Sequence, residues 1–538
     1  MKTLKYIIII LVTFTSCDTL LDEPMYDFRS REDVFTNESG FRGLLGGMYK
    51  NNTSVYTNHI HQMLGFHSGV LMRRTGGDEF WAQMAGNSSR WSENVYRSLY
   101  VTIGSANTLI DQEELIGEDN LELLQYIGEA YFMRAVSYFY LVRMYGPVPL
   151  STEPVIVLSD SYKPRPNSVD EVYELIITDL KKAHSFLPDV QEEVGKPKRL
   201  AAYALMSKVY LTWAGVEDTD EYWKLAMDYA DSVIVTSDGD LEPYSAPDEG
   251  YALENDFADI FSIDNEFNSE SIFEVNYLPI ENQGQKYTKY YMAQSAPWIM
   301  GNGSGRLMLA REVYDTIVAT HGGSDYRLKN GVVVAYVKDG KTDTTLLYGH
   351  DSASANALLP YCQKWEDPTA SGSDAGNNFI FLRFADMFLT YAEAANEYNN
   401  GPTSMAIDRL NIILQRSRSQ GDTIPKDVEV TDFNVTGKTT EQAFRDRIMV
   451  ERYVEFVGEL HDWFDVRRRD VDYLKSVFEN HNKRLERLEA EGGSILPKTD
   501  FVFPLEDDLV LKNMLLPLSN EEIDANPLID YSDQNPGY

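Results

Sequence analysis

The residues most able to do chemistry in this chain are carboxylates at regular spacing. Glu451, Glu455 and Glu459 recur every four positions, which places them on one face of a helix, and Glu459, His461 and Asp462 form a tight local group. Two carboxyls held about 5 to 10 Å apart serve as acid and base in glycoside hydrolysis. The chain carries 84 Asp and Glu among 538 residues, however, so such spacings arise from composition alone, and a solvated face or a core ion pair is the preferred reading. His59, His61 and His67 raise the question of a metal, but alternate residues share a face only on a strand, and no His-Glu-x-x-His element accompanies them. Gly86-Asn87-Ser88-Ser89-Arg90 starts like a nucleophile elbow and lacks its final glycine. Gly301 to Arg306 is glycine-rich without the Lys-Ser/Thr of a phosphate loop. The residues therefore predict no enzyme, no metal site and no cofactor.

Aromatic rings remain, and their chemistry is recognition. The axial C–H face of a sugar stacks on a flat ring while polar neighbours hydrogen-bond its hydroxyls. Two groups lie in loop-like sequence. One is Phe80-Trp81 beside Asp78 and Glu79, with Arg73 nearby, and the other is Tyr287, Tyr290, Tyr291 and Trp298 ahead of Gly301, Asn302 and Gly303. Trp81, Trp298, Tyr287, Tyr290 and Tyr291 are the expected stacking surfaces, and Asp78, Arg73 and Asn302 the expected hydrogen-bonding partners. The alternative is that these rings lie buried beneath their own loops. Trp91, Trp213 and Trp463 fall in helical patterns and are expected in the core, while Trp365 is open to either reading.

The elements that must hold these loops are helices. Tyr131, Ala135, Tyr138, Val142 and Tyr145 step by four and three, Phe132, Val136 and Phe139 load the adjoining face, and Gly146-Pro147 stops the run. Buried on most sides, this helix leaves Arg134 and Arg143 in need of partners. Leu200 to Trp213 predicts a second helix, followed by a turn over Gly215 to Asp220 and a third helix through Tyr222, Ala226 and Ala230. A similar pair recurs as Phe379 to Glu397, a break at Asn400-Gly401-Pro402, and Met405 to Arg416. Small and aromatic residues alternating in paired helices are the mark of tetratricopeptide-type repeats, irregular in this chain. Between the pairs, Ser237 to Thr288 reads as loop, and Val332 to Tyr336 followed by Asp339-Gly340 as a hairpin. Binding residues are expected on such loops, held by the rigid scaffold.

Composition supplies an address. Lys2 and Lys5 precede the apolar stretch Tyr6 to Val12, and Phe14-Thr15-Ser16 leads to Cys17. The stretch is too short for a span of about twenty residues, so residues 1–16 read as a lipoprotein signal peptide with Cys17 the lipidated residue. Cys362 is the one other cysteine, which leaves a large exported chain to be held together by its core. A net charge of −36 argues against nucleic acid as a partner and against a peripheral grip on anionic lipid.

Several motifs resemble, in order, those of the SusD/RagB family of outer-membrane nutrient-binding lipoproteins. They are Leu20-Leu21-Asp22-Glu23-Pro24, Tyr96 to Asn107, Glu129 to Ala135 leading into Tyr145-Gly146-Pro147-Val148-Pro149-Leu150, Leu382 to Asp386 with Tyr391-Ala392-Glu393-Ala394, Glu451-Arg452 with Glu459 and Trp463 to Arg468, and Glu522 to Pro527 before a terminal Gln-Asn-Pro-Gly-Tyr. The resemblance implies a mainly α, SusD-like fold with tetratricopeptide-like helix pairs as scaffold and a loop-rich ligand-binding part with minor β. It divides the mature chain into 17–235, an N-terminal helical scaffold, 236–378, a variable loop-rich part, and 379–538, the C-terminal RagB/SusD part. It also implies capture of an oligosaccharide at the cell surface and delivery to a SusC-like TonB-dependent transporter, with attachment to the outer membrane through the lipid anchor. A peptide ligand on the same scaffold is the alternative, and a glycoside hydrolase a more distant one. The motif charges Arg383, Asp386, Glu393, Glu451, Arg452, Asp465 and Arg467 sit in apolar helices, and are expected to pair in the core rather than touch ligand.

Overall fold

The computed structural model describes residues 35, 38–57, 59–73, 90–240, 242–245, 247, 250–292, 303–322, 325–333, 335–337, 344–346, 360–370, 372–418, 427–490 and 502–538. Residues from Leu45 to Tyr538 cluster as one compact unit and Met1–Leu44 as another. Cys17 lies outside the described residues.

Helices come first in the chain: α1 (Glu38–Tyr56), α2 (His59–Ser68), a short strand β1 (Leu71–Arg73), α3 (Arg90–Ile110), α4 (Leu121–Tyr145), α5 (Asp170–Phe186), α6 (Arg199–Glu217) and α7 (Asp220–Thr236). A mixed middle follows: β2 (Ser271–Val275), α8 (Tyr287–Tyr291), β3 (Leu307–Leu309), α9 (Arg311–His321), α10 (Tyr326–Gly331), β4 (Val332–Val333), β5 (Ala335–Val337), β6 (Thr344–Leu346), β7 (Tyr361–Cys362) and β8 (Phe379–Arg383). Helices then resume with α11 (Phe384–Tyr398), α12 (Ser404–Arg418), α13 (Thr440–Phe456), α14 (His461–Arg467), α15 (Val471–Ala490), α16 (Asp507–Lys512) and α17 (Asn520–Ala525). The fold is mainly α, as the pattern requires. Among the described residues no helix is long and apolar enough to cross a membrane.

The helix α4 shows why the sequence folds this way. Asn120 caps its start by accepting a hydrogen bond from the Leu123 amide at 3.3 Å, and Gly146, at φ 71°, ends it with its amide on the Val142 carbonyl. Its residues from Tyr126 to Val142 are all buried, which a helix packed on several sides requires. Arg134 finds its partner in Asp179, with two hydrogen bonds of 2.8 and 2.7 Å, while Arg143 lies between the rings of Phe139 and Phe464, 3.6 and 3.7 Å from their centroids.

Consecutive helices pack on one another in series from α3 through α7, after which α7 packs on α11 and α11 on α12 and α13. The middle of the chain, residues 237–383, is thus an insertion into a continuous helical stack. Two boundaries differ from expectation. The helix α6 runs through Gly215 to Glu217, with Asp218 left-handed at φ 45°, so the turn is shorter than predicted. Gly215 is in the helix because a Cβ on it would lie 2.1 Å from the carbonyl oxygen of Arg468. The second difference is β8. Phe379–Arg383 is strand rather than helix, antiparallel to β2 with an irregular register, and all five residues are buried, which erases the alternation that marks a strand in sequence.

A second small sheet has the order β1-β3-β7-β4, all antiparallel, and β5 pairs with β6 from Ala335↔Leu346 to Val337↔Thr344. The expected run Val332 to Tyr336 is thus divided: Val332–Val333 pairs with β7 and Ala335–Val337 with β6, while Asp339-Gly340 lies outside the described residues.

Candidate functional site

The pairing of β1 with β3 sets the described ends of the two ring-bearing segments at one end of the sheet. Arg73 lies opposite Leu307, so the chain leaves β1 towards residues 74–89 at the same end of the sheet at which it enters β3 from residues 293–306. Trp81 and Asp78 belong to the first loop, Trp298 and Asn302 to the second, and all four lie outside the described residues. Arg73 is placed by its backbone at the last position of β1.

The second loop is closed at its base. The Ser304 amide donates to the Lys289 carbonyl at 2.7 Å, Gly305 to Met292 at 2.7 Å and Arg306 to Tyr290 at 2.8 Å, so both roots of 293–302 are fixed to α8. Gly305 has φ 54°, and a Cβ there would stand 2.7 Å from the Tyr361 ring. Arg306 reaches Gln62 at 3.1 Å and lies 5.2 Å over the Tyr290 ring.

Exposure of the tyrosines is corrected by their packing. Tyr287 and Tyr291 are wholly buried. Tyr287 stacks on His61 with centroids 4.2 Å apart and meets Trp365 edge-on at 5.1 Å, and its hydroxyl donates to the Asn377 carbonyl at 3.1 Å. Tyr291 meets His61 edge-on, its hydroxyl 3.4 Å from Nδ1. Both form the apolar base under the loop rather than a stacking surface. Tyr290, 9% exposed, is the nearest of the three to solvent. Tyr290 too is buried, so none of the three is the exposed ring expected, and a five-residue helix does not reveal this in sequence.

The chemical candidates take structural roles. Burial pushes His61 down to about 3, so its imidazole is neutral and packed among rings. His59 stacks beside Trp91, which is half-buried, and the His67 side chain lies outside those described. No group of three or more His, Cys, Asp or Glu among the described residues is arranged to hold a metal ion. Glu451, Glu455 and Glu459 enter a buried ion network. Glu455 accepts from Arg383 at 2.7 Å, from Arg327 at 3.2 Å and from Arg416, while Glu459 accepts from Lys364 at 2.6 Å and Arg383 at 2.8 Å. Glu451 accepts from Arg447 at 2.8 Å, lies 3.0 Å from the Arg327 guanidinium and faces His321 Nε2 at 2.9 Å. Burial alone would raise the Glu455 carboxyl, but Arg416, Arg383 and Arg327 hold it far below the usual carboxylate range. A carboxylate held ionised as Glu455 is has no proton to donate.

Other motif charges pair similarly. Asp386 binds Lys208 and Arg452 at 2.7 and 2.8 Å, Asp465 binds Arg452 and Arg468 at 2.7 and 3.0 Å, and Glu393 takes Arg468 at 2.5 Å. Arg467 differs from expectation: its Nε donates to the Asn513 carbonyl at 2.8 Å and its guanidinium lies 4.2 Å over Trp463. Trp213, Trp463 and Trp365 are buried, Trp365 donating to the Gly458 carbonyl at 3.1 Å. The parts that Glu270, Arg327 and Arg416 play in this network have no local signal, because Arg416 and Glu270 lie 146 positions apart and Arg327 and Glu455 128.

The described residues form a helical scaffold around a buried aromatic cluster of His61, Tyr287, Tyr291 and Trp365. The chain belongs to the SusD family, whose model matches residues 269–538. Residues 42–211 match a second family model, described as "Starch-binding associating with outer membrane". Among curated relatives, SusD-like protein P2 of Formosa agariphila is 25% identical over 487 residues, 86% of this chain and 89% of the relative. Among solved structures, a SusD homolog from Bacteroides thetaiotaomicron superposes with a TM-score of 0.74 at 20% identity, covering 95% of this chain and 99% of the other. A laminarin binding SusD-like protein superposes at 0.67 with 22% identity, covering 93% and 100%.

Proposed function

We propose that this chain is a glycan-binding lipoprotein of the outer-membrane surface, which captures an oligosaccharide without chemistry and passes it to a SusC-like TonB-dependent transporter. The observation that supports the reading is the antiparallel pairing of Arg73 with Leu307, which sets the described ends next to the Trp81 and Trp298 segments at one end of a sheet, in a chain of the SusD family. The laminarin-binding neighbour, and the "Starch-binding associating with outer membrane" description matched by residues 42–211, support a sugar as ligand and the outer membrane as the place.

In this reading Trp81 and Trp298 stack on sugar faces. Asp78, Arg73 and Asn302 bond hydroxyls, and Tyr287, Tyr290 and Tyr291 hold the base rigid. Residues 236–378 carry specificity, and 17–235 and 379–538 the scaffold. Acylation of Cys17 holds the molecule beside its transporter and raises local concentration without a tight protein interface. A glycan array with the chain lacking residues 1–16 tests the reading, repeated with Trp81→Ala and Trp298→Ala. Loss of at least tenfold in binding is expected in each variant, since one stacked ring contributes about 0.5–1.5 kcal/mol beyond the area it buries, and stacking and burial together exceed the roughly 1.4 kcal/mol of a tenfold change. Unchanged binding in both removes the ring assignment, and binding of peptides alone removes the sugar.

A further inference from the structure

A small cavity of about 30 Å³ lies inside the scaffold, between α4, α6, α14 and β8. That is room for one or two waters or for one monatomic ion, and it excludes sulfate, phosphate or a sugar. The charged residues of its wall are Arg143, Lys208, Glu459, Asp465 and Arg468, with His461 beside them.

The two carboxylates in the wall are already taken. Glu459 binds Lys364 and Arg383, and Asp465 binds Arg452 and Arg468. Around Asp465 the charges match, with Lys208, Arg452 and Arg468 against Asp386, Asp465 and Glu393. Arg469, which also reaches Glu393 at 3.6 Å, adds only to the positive side. The adjoining network matches as well: Arg327, Lys364, Arg383, Arg416 and Arg447 stand against Glu270, Asp325, Glu451, Glu455 and Glu459.

Arg143 is the cation left over. Among the described residues it has no carboxylate partner, and its one hydrogen bond runs from Nε to the Phe139 carbonyl at 2.9 Å. Burial lowers it to about 10, which leaves it protonated at neutral pH. The rings of Phe139 and Phe464 offset the cost of burying that charge only in part. Its Nη2 is shut in, so Nη1 is the guanidinium nitrogen that can meet a ligand.

Its neighbours in the wall are donors too. His461 Nδ1 lies 3.4 Å from Lys208 Nζ and 3.3 Å from Arg452 Nη2, groups that only donate. Nδ1 is therefore the acceptor, and burial beside these cations keeps the ring neutral, with its proton on Nε2. Lys208 spends two of its three N–H groups on Asp386 and His461. Spare donors, no spare acceptor and one unmatched cation select an anion over water.

We infer that this cavity is a halide site, in which one chloride ion is held by Arg143, Lys208 and His461 and joins α4, α6 and α14. The site stands apart from the glycan reading and does not depend on it.

Bromide replaces chloride at such a site and is located by its anomalous scattering. Crystals of the chain lacking residues 1–16, soaked in sodium bromide, are expected to show one bromide in the cavity. In solution the melting temperature should rise with chloride or bromide by about 1 °C per tenfold in concentration, and not with gluconate at equal ionic strength. In Arg143→Met the halide and gluconate curves should coincide. The diffraction needs no variant, so the test stands should Arg143→Met fail to fold. Water alone in the cavity of the bromide crystals overturns the site, as does equal melting of the parent chain in halide and gluconate, or a halide effect of the same size in Arg143→Met.

Discussion

Replacing Arg383 by Met is expected to destabilise the chain by about 3–5 kcal/mol, the usual cost of breaking a buried ion pair from one side. Arg383 is wholly buried and donates to Glu459 Oε2 and Oε1 at 2.8 and 3.1 Å, to Glu270 and Glu455 at 2.7 Å each, and to the Glu455 carbonyl at 2.7 Å. Methionine refills most of the volume, so the loss is electrostatic rather than a cavity. Each carboxylate keeps at least one cation, since Arg416 serves Glu270 and Glu455, Arg327 also serves Glu455, and Lys364 serves Glu459. These remaining cations set the expected cost toward the lower end of that range. At about 2.1 cal/mol/K of unfolding entropy per residue, a unit of this size loses on the order of 3–5 °C in melting temperature. The assay is calorimetric melting of the chain lacking residues 1–16, with Arg383→Met, Glu459→Gln and the double variant forming a cycle. The double variant should cost less than the sum of the singles, because neutralising Glu459 removes one stranded charge. A loss below about 1 kcal/mol for Arg383→Met, as for an exposed pair, refutes the view that this network joins β8 to α13.

Three further outcomes follow from buried groups. Burial, reinforced by Asp465, raises Asp462 to about 6, above roughly 3.9 in the unfolded chain, so its contribution is fully present below about 3.9 and is lost as pH rises through 6. Asp462→Asn should therefore be more stable than the parent by about 3 kcal/mol at pH 8 and nearly equal at pH 3.5, and equal urea midpoints at both would contradict this. Burial pushes the Cys362 thiol up to about 11, with Sγ 3.7 Å from the Val457 carbonyl, so a thiol reagent should leave it unlabelled until urea unfolds the chain; labelling within minutes in native buffer would show otherwise. Gly215→Ala forces α6 away from the Arg468 carbonyl and should cost about 1–3 kcal/mol or more, which an unchanged melting temperature would disprove.

Much of the scaffold was legible because its signals are local. Asn120, Gly146-Pro147 and the Asn400-Gly401-Pro402 break mark ends by backbone chemistry, and the step of three and four in α4 follows from burial on a helix. Long-range partners were not legible. The strand β8 pairs with β2 about a hundred positions earlier and is buried on both faces, so its residues read as helix. The buried charges could be named as ion pairs from their type alone, whereas Glu270, Arg327 and Arg416 could be found only in three dimensions. The ring-bearing loops were visible as composition, but that the tyrosines of α8 are buried depends on His61 and Trp365 from distant elements.

The central claim is that the chain captures a glycan on rings of two loops, and isothermal titration of the array's best oligosaccharide into the chain lacking residues 1–16 tests it most directly. The account predicts saturable binding with the sugar recovered intact, and at least tenfold weakening in both Trp81→Ala and Trp298→Ala. Binding indifferent to both rings, or cleavage of the oligosaccharide by the purified chain, would contradict it.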